Sequence, residues 1–239
     1  MVSVCGVVIA TIALVCALSV YNGFNDLISN LFSNFDPELK ITPRTGKVFD
    51  PTQPAIKQVC CLPEIASSCE ILQDNALVRY RERQVIATLK GVDNHFSQLT
   101  AIDSVLIDGR FILQDEVVNY ATLGIGLASA LGVNAGFVSP LELYVPKRDE
   151  KVNLSNPATS FNQEYAYIGG VFCINQQIYD ENFMIIPITL ARDLFHYNNE
   201  VTAIELKLKD DSHLAQTQRH IQQILGNTFI VENRYEQQK

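Results

Sequence analysis

Thr202-Ala-Ile-Glu-Leu-Lys-Leu-Lys-Asp-Asp-Ser-His-Leu-Ala-Gln-Thr-Gln-Arg-His-Ile-Gln-Gln-Ile-Leu-Gly-Asn-Thr-Phe-Ile-Val231 reads as one strand–helix–strand unit. Thr202, Ile204, Leu206 and Leu208 alternate with Ala203, Glu205 and Lys207, which predicts a half-buried strand. Asp210-Asp211-Ser212 offers helix caps. Leu214, Ile221 and Leu225 then share one helical face, and Gly226 stands where a left-handed residue ends a helix. Thr228 to Val231 is a short strand. An earlier unit matches it. Leu39-Lys-Ile-Thr42 alternates as a strand, and Pro54 to Ser68 is helix-like around Ile56, Val59, Cys60 and Ile65, broken by Pro63. Ala76 to Tyr80 and Gln84 to Val92 read as a hairpin around Arg81-Glu82-Arg83. The two units can pair into a single split βαβ sheet with both helices on one face.

Between them, residues 93–199 are richer in strands: Val105 to Ile107, Leu141 to Val145, Tyr165 to Phe172 and Phe183 to Ile186. Pro187 suits a helix first turn, and Ile188, Ala191, Leu194 and Phe195 continue one face. Val117 to Leu141 is uncharged but carries Gly124, Gly126, Gly132 and Gly136. Its helical part is about 10–14 residues, the length of a buried core helix. Lys147 to Asn162 is polar and turn-prone between two strands, and long connections of this kind are often functional. The expected class is α+β. Residues 36–92 and 200–239 form a βαβ subdomain, and 93–199 form an inserted β-rich subdomain.

Upstream lies Val2-Ser-Val-Cys-Gly-Val-Val-Ile-Ala-Thr-Ile-Ala-Leu-Val-Cys-Ala-Leu-Ser-Val20, with no charge and no proline. A helix this apolar has no face for water, and about 20 such residues span a bilayer core. Residues 1–35 are therefore expected to be a transmembrane helix with an amphipathic extension, in which Phe24, Leu27, Ile28, Leu31, Phe32 and Phe35 make one stripe. Asp36-Pro37 ends it. The missing basic residue before Val2 suggests a trimmed start. Tyr21 to Leu39 holds Asp26, Asp36 and Glu38 and no Lys or Arg, which places the body outside the cytoplasm.

Composition narrows the function. With 18 basic and 26 acidic side chains, the chain lacks the basic balance that nucleic-acid binding draws on. No Walker lysine or dinucleotide fingerprint is present, and no serine sits in a nucleophile elbow. His95, His196, His213 and His220 are scattered, and Cys60-Cys61 has no histidine at zinc-ligand spacing. Asp103 and Asp108, or Asp180 and Glu181, make only generic acid pairs. Cys60, Cys61, Cys69 and Cys173 lie outside the anchor, where Cys69 could bond Cys60 or Cys61, or all could be buried thiols.

Leu18-Ser-Val-Tyr-Asn-Gly-Phe24 resembles the Leu-Ser-Val-x-Asn-Gly-Phe signature of lipoprotein-releasing ABC transporter permeases of the Lol C/E type, within the wider MacB/FtsX permease family. Gly91-Val-Asp93 is similar to that family's Gly-hydrophobic-Asp turn. Gly124, Ala128, Leu131-Gly132 and Gly136 resemble its Gly…Ala…Leu-Gly…Gly element. Tyr167 to Phe172 resembles its Val-x-Gly-x-Phe strand, and Tyr179-Asp180, Ile186-Pro187, Ala191 and Thr202 to Leu208 follow in the same order. Phe137 and the doubled Gly169-Gly170 depart from the pattern.

The resemblance implies a MacB-like periplasmic core domain, with a porter-like βαβ subdomain, behind the first of four transmembrane helices. The chain would then be a fragment of a bacterial inner-membrane protein with its body in the periplasm. It also implies a subunit without a catalytic residue, metal or cofactor. Its partners would be a second permease subunit, a cytoplasmic ABC ATPase, a lipoprotein substrate and a periplasmic carrier. Phe24, Leu27, Leu31 and Phe35 are expected to line a substrate cavity between two permeases. Asn153, Leu154, Pro157 and Phe161 are expected to form the partner-binding part of the loop. The alternatives are a MacB-like efflux permease, an FtsX-like regulator of cell-wall hydrolases, and a membrane-anchored binding or sensor protein.

Overall fold

The computed structural model describes residues 11–21, 23, 36–148, 160–210 and 213–237. Residues 11–21 are helical, with exposed side chains. Among the described residues, no helix is long and apolar enough to cross a membrane. The expected span begins at Val2, so its first half lies outside the described residues.

Among the described residues, the body is built on one eleven-stranded sheet. Its strands are β1 (Leu39–Pro43), β2 (Ile65–Tyr80), β3 (Arg83–Val92), β4 (Leu106–Gly109), β5 (Gln114–Asp115), β6 (Val118–Gly124), β7 (Leu141–Pro146), β8 (Phe161–Phe172), β9 (Phe183–Pro187), β10 (Ala203–Leu208) and β11 (Phe229–Asn233). The helices are α1 (Pro54–Cys60), α2 (Phe96–Leu99), α3 (Ile125–Leu131), α4 (Gln177–Asn182), α5 (Ile188–Phe195) and α6 (Leu214–Leu225). Strand order is β11-β1-β10-β2-β3-β9-β6-β8-β4, with β7 between β2 and β8. β1 pairs antiparallel with β10 and β11, and β10 pairs antiparallel with β2. β1-α1-β2 and β10-α6-β11 thus interleave as a split βαβ, with α1 packed on α6.

The start of β2 differs from the sequence reading. Ile65–Ser68 belongs to a strand of sixteen residues, because the helix ends at Cys60, ahead of Pro63. The hairpin turn has Arg81 at φ 54°. In the uncharged stretch, β6 takes the first half and α3 has only seven residues. No cap bond from a side chain marks the start of α6, and Asp211 and Ser212 lie outside the described residues.

The alternation along β10 does not mark a half-buried strand. Both faces of β10 are covered, and Glu205 is 2% exposed. Its carboxylate accepts from Lys90 Nζ at 2.7 and 3.0 Å. Lys90 lies on β3 and Glu205 on β10, so the pair bridges across β2. The Lys90 ammonium also stands 5.1 Å from the Phe96 ring centre. Around it are Cys69, Ile71, Val92, Phe172, Ile185 and Ala203, which belong to the smaller of two apolar cores among the described residues. The larger lies on the opposite face under α1, α3, α5 and α6.

Removing one partner of a buried pair strands the other charge, which costs about 3–5 kcal/mol. Lys90→Met should therefore lower unfolding free energy by about that amount in chemical denaturation. The double variant Lys90→Met/Glu205→Leu should recover most of the loss. A double variant as unstable as the single one would show that the pair acts by packing alone.

Candidate functional site: the β7–β8 hairpin and the N-terminal joint

β7 and β8 pair antiparallel from Leu141↔Ala166 to Pro146↔Phe161. The pairing continues one step further, where Lys147 N–H donates to the Ser160 carbonyl at 2.9 Å. Leu141, Leu143 and Val145 alternate inward and are buried. On the outer face, Arg79 of β2 donates from Nε to Glu142 at 2.8 Å and from Nη2 to the Tyr144 hydroxyl at 2.8 Å. The Tyr144 hydroxyl donates to the same Glu142 oxygen at 2.6 Å. That hydroxyl and the Arg79 guanidinium hold the Glu142 carboxyl below its ordinary range. The hairpin stem is thereby fixed to β2.

The end of β7, with Lys147 and Arg148 after it, borders a cleft of about 420 Å³. Arg148 lies 4.1 Å over the Tyr197 ring, a cation–π contact. Asn162 Nδ2 donates to the Leu194 carbonyl at the end of α5, at 3.0 Å. Lys47 and Asp74 pair at 2.5 Å across the cleft. Phe161, expected in the partner-binding part of the loop, is the first residue of β8, half-buried opposite Pro146. Asn153, Leu154 and Pro157 lie outside the described residues, as do Phe24, Leu27, Leu31 and Phe35 of the expected cavity stripe. Of the eight expected site residues, the structure therefore places Phe161 alone.

The body meets the N-terminal segment at Asp36. This carboxylate is 8% exposed and accepts from the Tyr179 hydroxyl of α4 at 2.5 Å. Burial, then the Asp36 charge, pushes the Tyr179 hydroxyl well above its ordinary range. α4 is held in turn by Asp180, whose Oδ1 accepts from Ile174 N–H at 2.9 Å. Gly124 permits the close approach: a Cβ there would stand 2.4 Å from the Asp180 carbonyl oxygen. Sequence reasoning singled out Tyr179, Asp180 and Gly124 but not the contact of Tyr179 with Asp36, which is 143 positions away.

The remaining polar candidates are dispersed. His213, just before α6, and His220, on it, line a cleft with Glu64. Among the described residues, no three His, Cys, Asp or Glu side chains are grouped to hold a metal ion. The described cysteines are free thiols. Cys69 sits in the smaller core and Cys60 packs against the larger, so the strand separates them. Burial raises both thiols above their ordinary range.

Residues 1–224 match the family model of the MacB-like periplasmic core domain. The chain belongs to that family. Two solved structures share the MacB-like fold. The extracellular domain of the noncanonic ABC-type transporter YknZ from Gram-positive bacteria is 13% identical, with a TM-score of 0.55 over 82% of this chain and 99% of that one. The periplasmic region of MacB from Actinobacillus actinomycetemcomitans is also 13% identical, with a TM-score of 0.58 over 89% and 96%. No curated protein sequence matches. The MacB-like fold gives the Gly91-Val-Asp93 turn a physical role. A Cβ on Gly91 would lie 2.4 Å from the Ala191 Cβ of α5. Asp93 ends the β2–β3 ladder by accepting from Glu70 N–H at 3.1 Å and His95 N–H at 2.8 Å.

Tyr179→Phe removes a donor to a buried carboxylate, a bond worth roughly 1.5–3 kcal/mol. The pH dependence carries a second signature. The folded-state pKa of Tyr179 is raised, so its contribution is complete below the ordinary tyrosine value of 10.0 and is lost as pH rises above it. Urea titrations between pH 8 and 11 should show this alkaline loss in the parent chain and a flatter limb in Tyr179→Phe. Equal slopes would remove Tyr179 from the joint's electrostatics.

Proposed function

We propose that this chain is the extracytoplasmic part, with the first transmembrane helix, of an ABC transporter permease that releases lipoproteins from a bacterial inner membrane to a periplasmic carrier. Membership of the MacB-like family over residues 1–224 carries the transporter reading. The exposed apolar run of residues 11–21 supports an anchor, since so many apolar side chains do not remain in water. The chain is a coupling subunit. ATP is hydrolysed by a cytoplasmic partner, and the body of a second permease stands beside this one.

In this reading residues 36–92 and 200–239 form the porter-like subdomain and 93–199 the inserted one, joined through the continuous β2–β3 sheet. Phe24, Leu27, Leu31 and Phe35 line the cavity that accepts the lipid anchor. Asn153, Leu154, Pro157 and Phe161 dock the carrier, with the pinned β7–β8 stem as a firm base. A second reading is an efflux permease, which the fold likeness to MacB and YknZ favours.

Spheroplasts carrying the full permease separate the two readings. Release of a labelled lipoprotein to added carrier supports the first. Export of small molecules without lipoprotein release supports the second. Leu31→Asp should abolish lipoprotein release while leaving assembly with the ATPase intact, and normal release would remove the stripe from the cavity.

The loop is tested separately. Shortening Asn153 to Thr159 to a tight turn should abolish carrier binding with an unchanged melting temperature. Unchanged binding would reduce the loop to a connection, or place the carrier hook on the partner permease.

A further inference from the structure

The sheet has an edge that the fold leaves open. β2 pairs with β10 down to Ile65↔Leu208, but its ladder with β3 ends at Ile71↔Val92. Among the described residues, residues 65–70 therefore pair with a strand on the β10 side alone. The direction of their backbone groups follows from two bonds. Ile71 C=O points to the β10 side, where it accepts from Thr202 N–H at 2.8 Å. Glu70 N–H points the other way and is taken by Asp93 Oδ2. Alternation then turns the N–H and C=O of Ser68 outward beside those of Glu70. A cleft of about 470 Å³ runs along this edge. Ile56, Cys60 and Ile204 line it on the α1 face, and Asp93, His95 and Gln98 on the α2 face.

The edge of the sheet at β11 is treated differently. On β11, Gln222 Nε2 donates to Phe229 C=O at 3.0 Å and Gln222 Oε1 accepts from Val231 N–H at 3.1 Å. Gln218 Nε2 donates to Val231 C=O at 2.8 Å. Side chains of α6 thus occupy the outward groups that another strand would use. On β2, Asp93 closes Glu70 N–H, and the groups of Ser68 face the cleft.

We propose that the β2 edge, Ile65–Glu70, docks an extended segment of a partner protein, which adds as a strand in the lane that β3 leaves at Val92. Main-chain bonds to Ser68 supply the anchoring, and the two walls supply the selection. Side chains of the added strand alternate between the walls. One set meets Ile56, Cys60 and Ile204 and is apolar. The other meets the Asp93 carboxylate, with His95 and Gln98 beside it, and is basic. The site lies at the level of Leu39, since Leu39 pairs with Leu206 and Leu206 with Ser68. A partner docked there sits beside the start of the body, whatever the chain transports.

The probe is fluorescein-labelled acetyl-Lys-Val-Lys-Val-Lys-Val-amide, titrated by anisotropy against the full chain in detergent micelles. Two further versions carry N-methyl groups on alternate backbone nitrogens, one set in each. One methylated version should bind like the parent and the other at least tenfold more weakly, because only one set of amides faces β2. Amide exchange at Ser68 should slow with the parent peptide. Ser68→Pro removes an outward N–H and should weaken binding with an unchanged melt. If that variant fails to fold, the methylated peptides give the same answer on the parent chain. Absence of binding, or equal binding of both methylated peptides, would overturn the proposal. So would protection of Ser68 that appears without peptide as the chain dimerises, which would assign the edge to a second copy.

Discussion

The Lys90–Glu205 pair is the constraint on which the sheet depends. Neither charge reaches water, and each is satisfied by a side chain 115 positions away. Taking two charges out of water costs several kcal/mol per ion, so such a pair adds little net stability even with good geometry. What it supplies is register. β2 must lie between β3 and β10, and each neighbour must present its charge on the same face. A one-residue slip of either strand would turn its charge to the opposite, wholly apolar core. The pair thus joins the late strand–helix–strand unit to the early one at a single permitted alignment.

Small residues and acids then hold the layers on that sheet. Gly91 lies directly after Lys90 and brings α5 down onto β3. Asp93 follows two residues later and closes the ladder. Gly124 brings α4 against the end of β6, and Asp180 caps Ile174 from there. A side chain at either glycine would have to displace backbone or a helix, the kind of overpacking that a dense core resists. These short motifs are therefore contact points between elements, and their order along the chain follows the order in which the elements are stacked.

That explains what the sequence disclosed and what it hid. The late unit was legible because strand and helix periods change cleanly at Lys209 and because Gly226, at φ 63°, ends α6. The middle strands β7, β8 and β9 were legible from short apolar runs, and α5 from its buried face. The first half of β2 was not, since Ile65-Ala-Ser-Ser-Cys-Glu70 follows a proline-broken helix and carries a bulge where Ala66 drops out of the pairing with β10. The alternation of β10 concealed its true burial, because a glutamate satisfied by a distant lysine looks, in sequence, like a solvent-facing residue. Of the expected partner loop, the flanking strands were readable, but the Arg79–Glu142–Tyr144 clamp joins residues more than sixty positions apart.

The β11 edge and the open first stretch of β2 show how the same physics yields opposite surfaces. Unpaired strand edges invite association, and soluble domains usually blunt them. On β11 two glutamines one helical turn apart on α6 do this with their own amides, which costs α6 nothing because that face overlies the strand. On β2 no helix is placed to do so. α1 is only seven residues long and ends at Cys60, and α2 is a single turn on the other face. Pro63 stops the first and the extended Thr100 stops the second, so the cleft results from two short helices flanking a strand that outruns its partner.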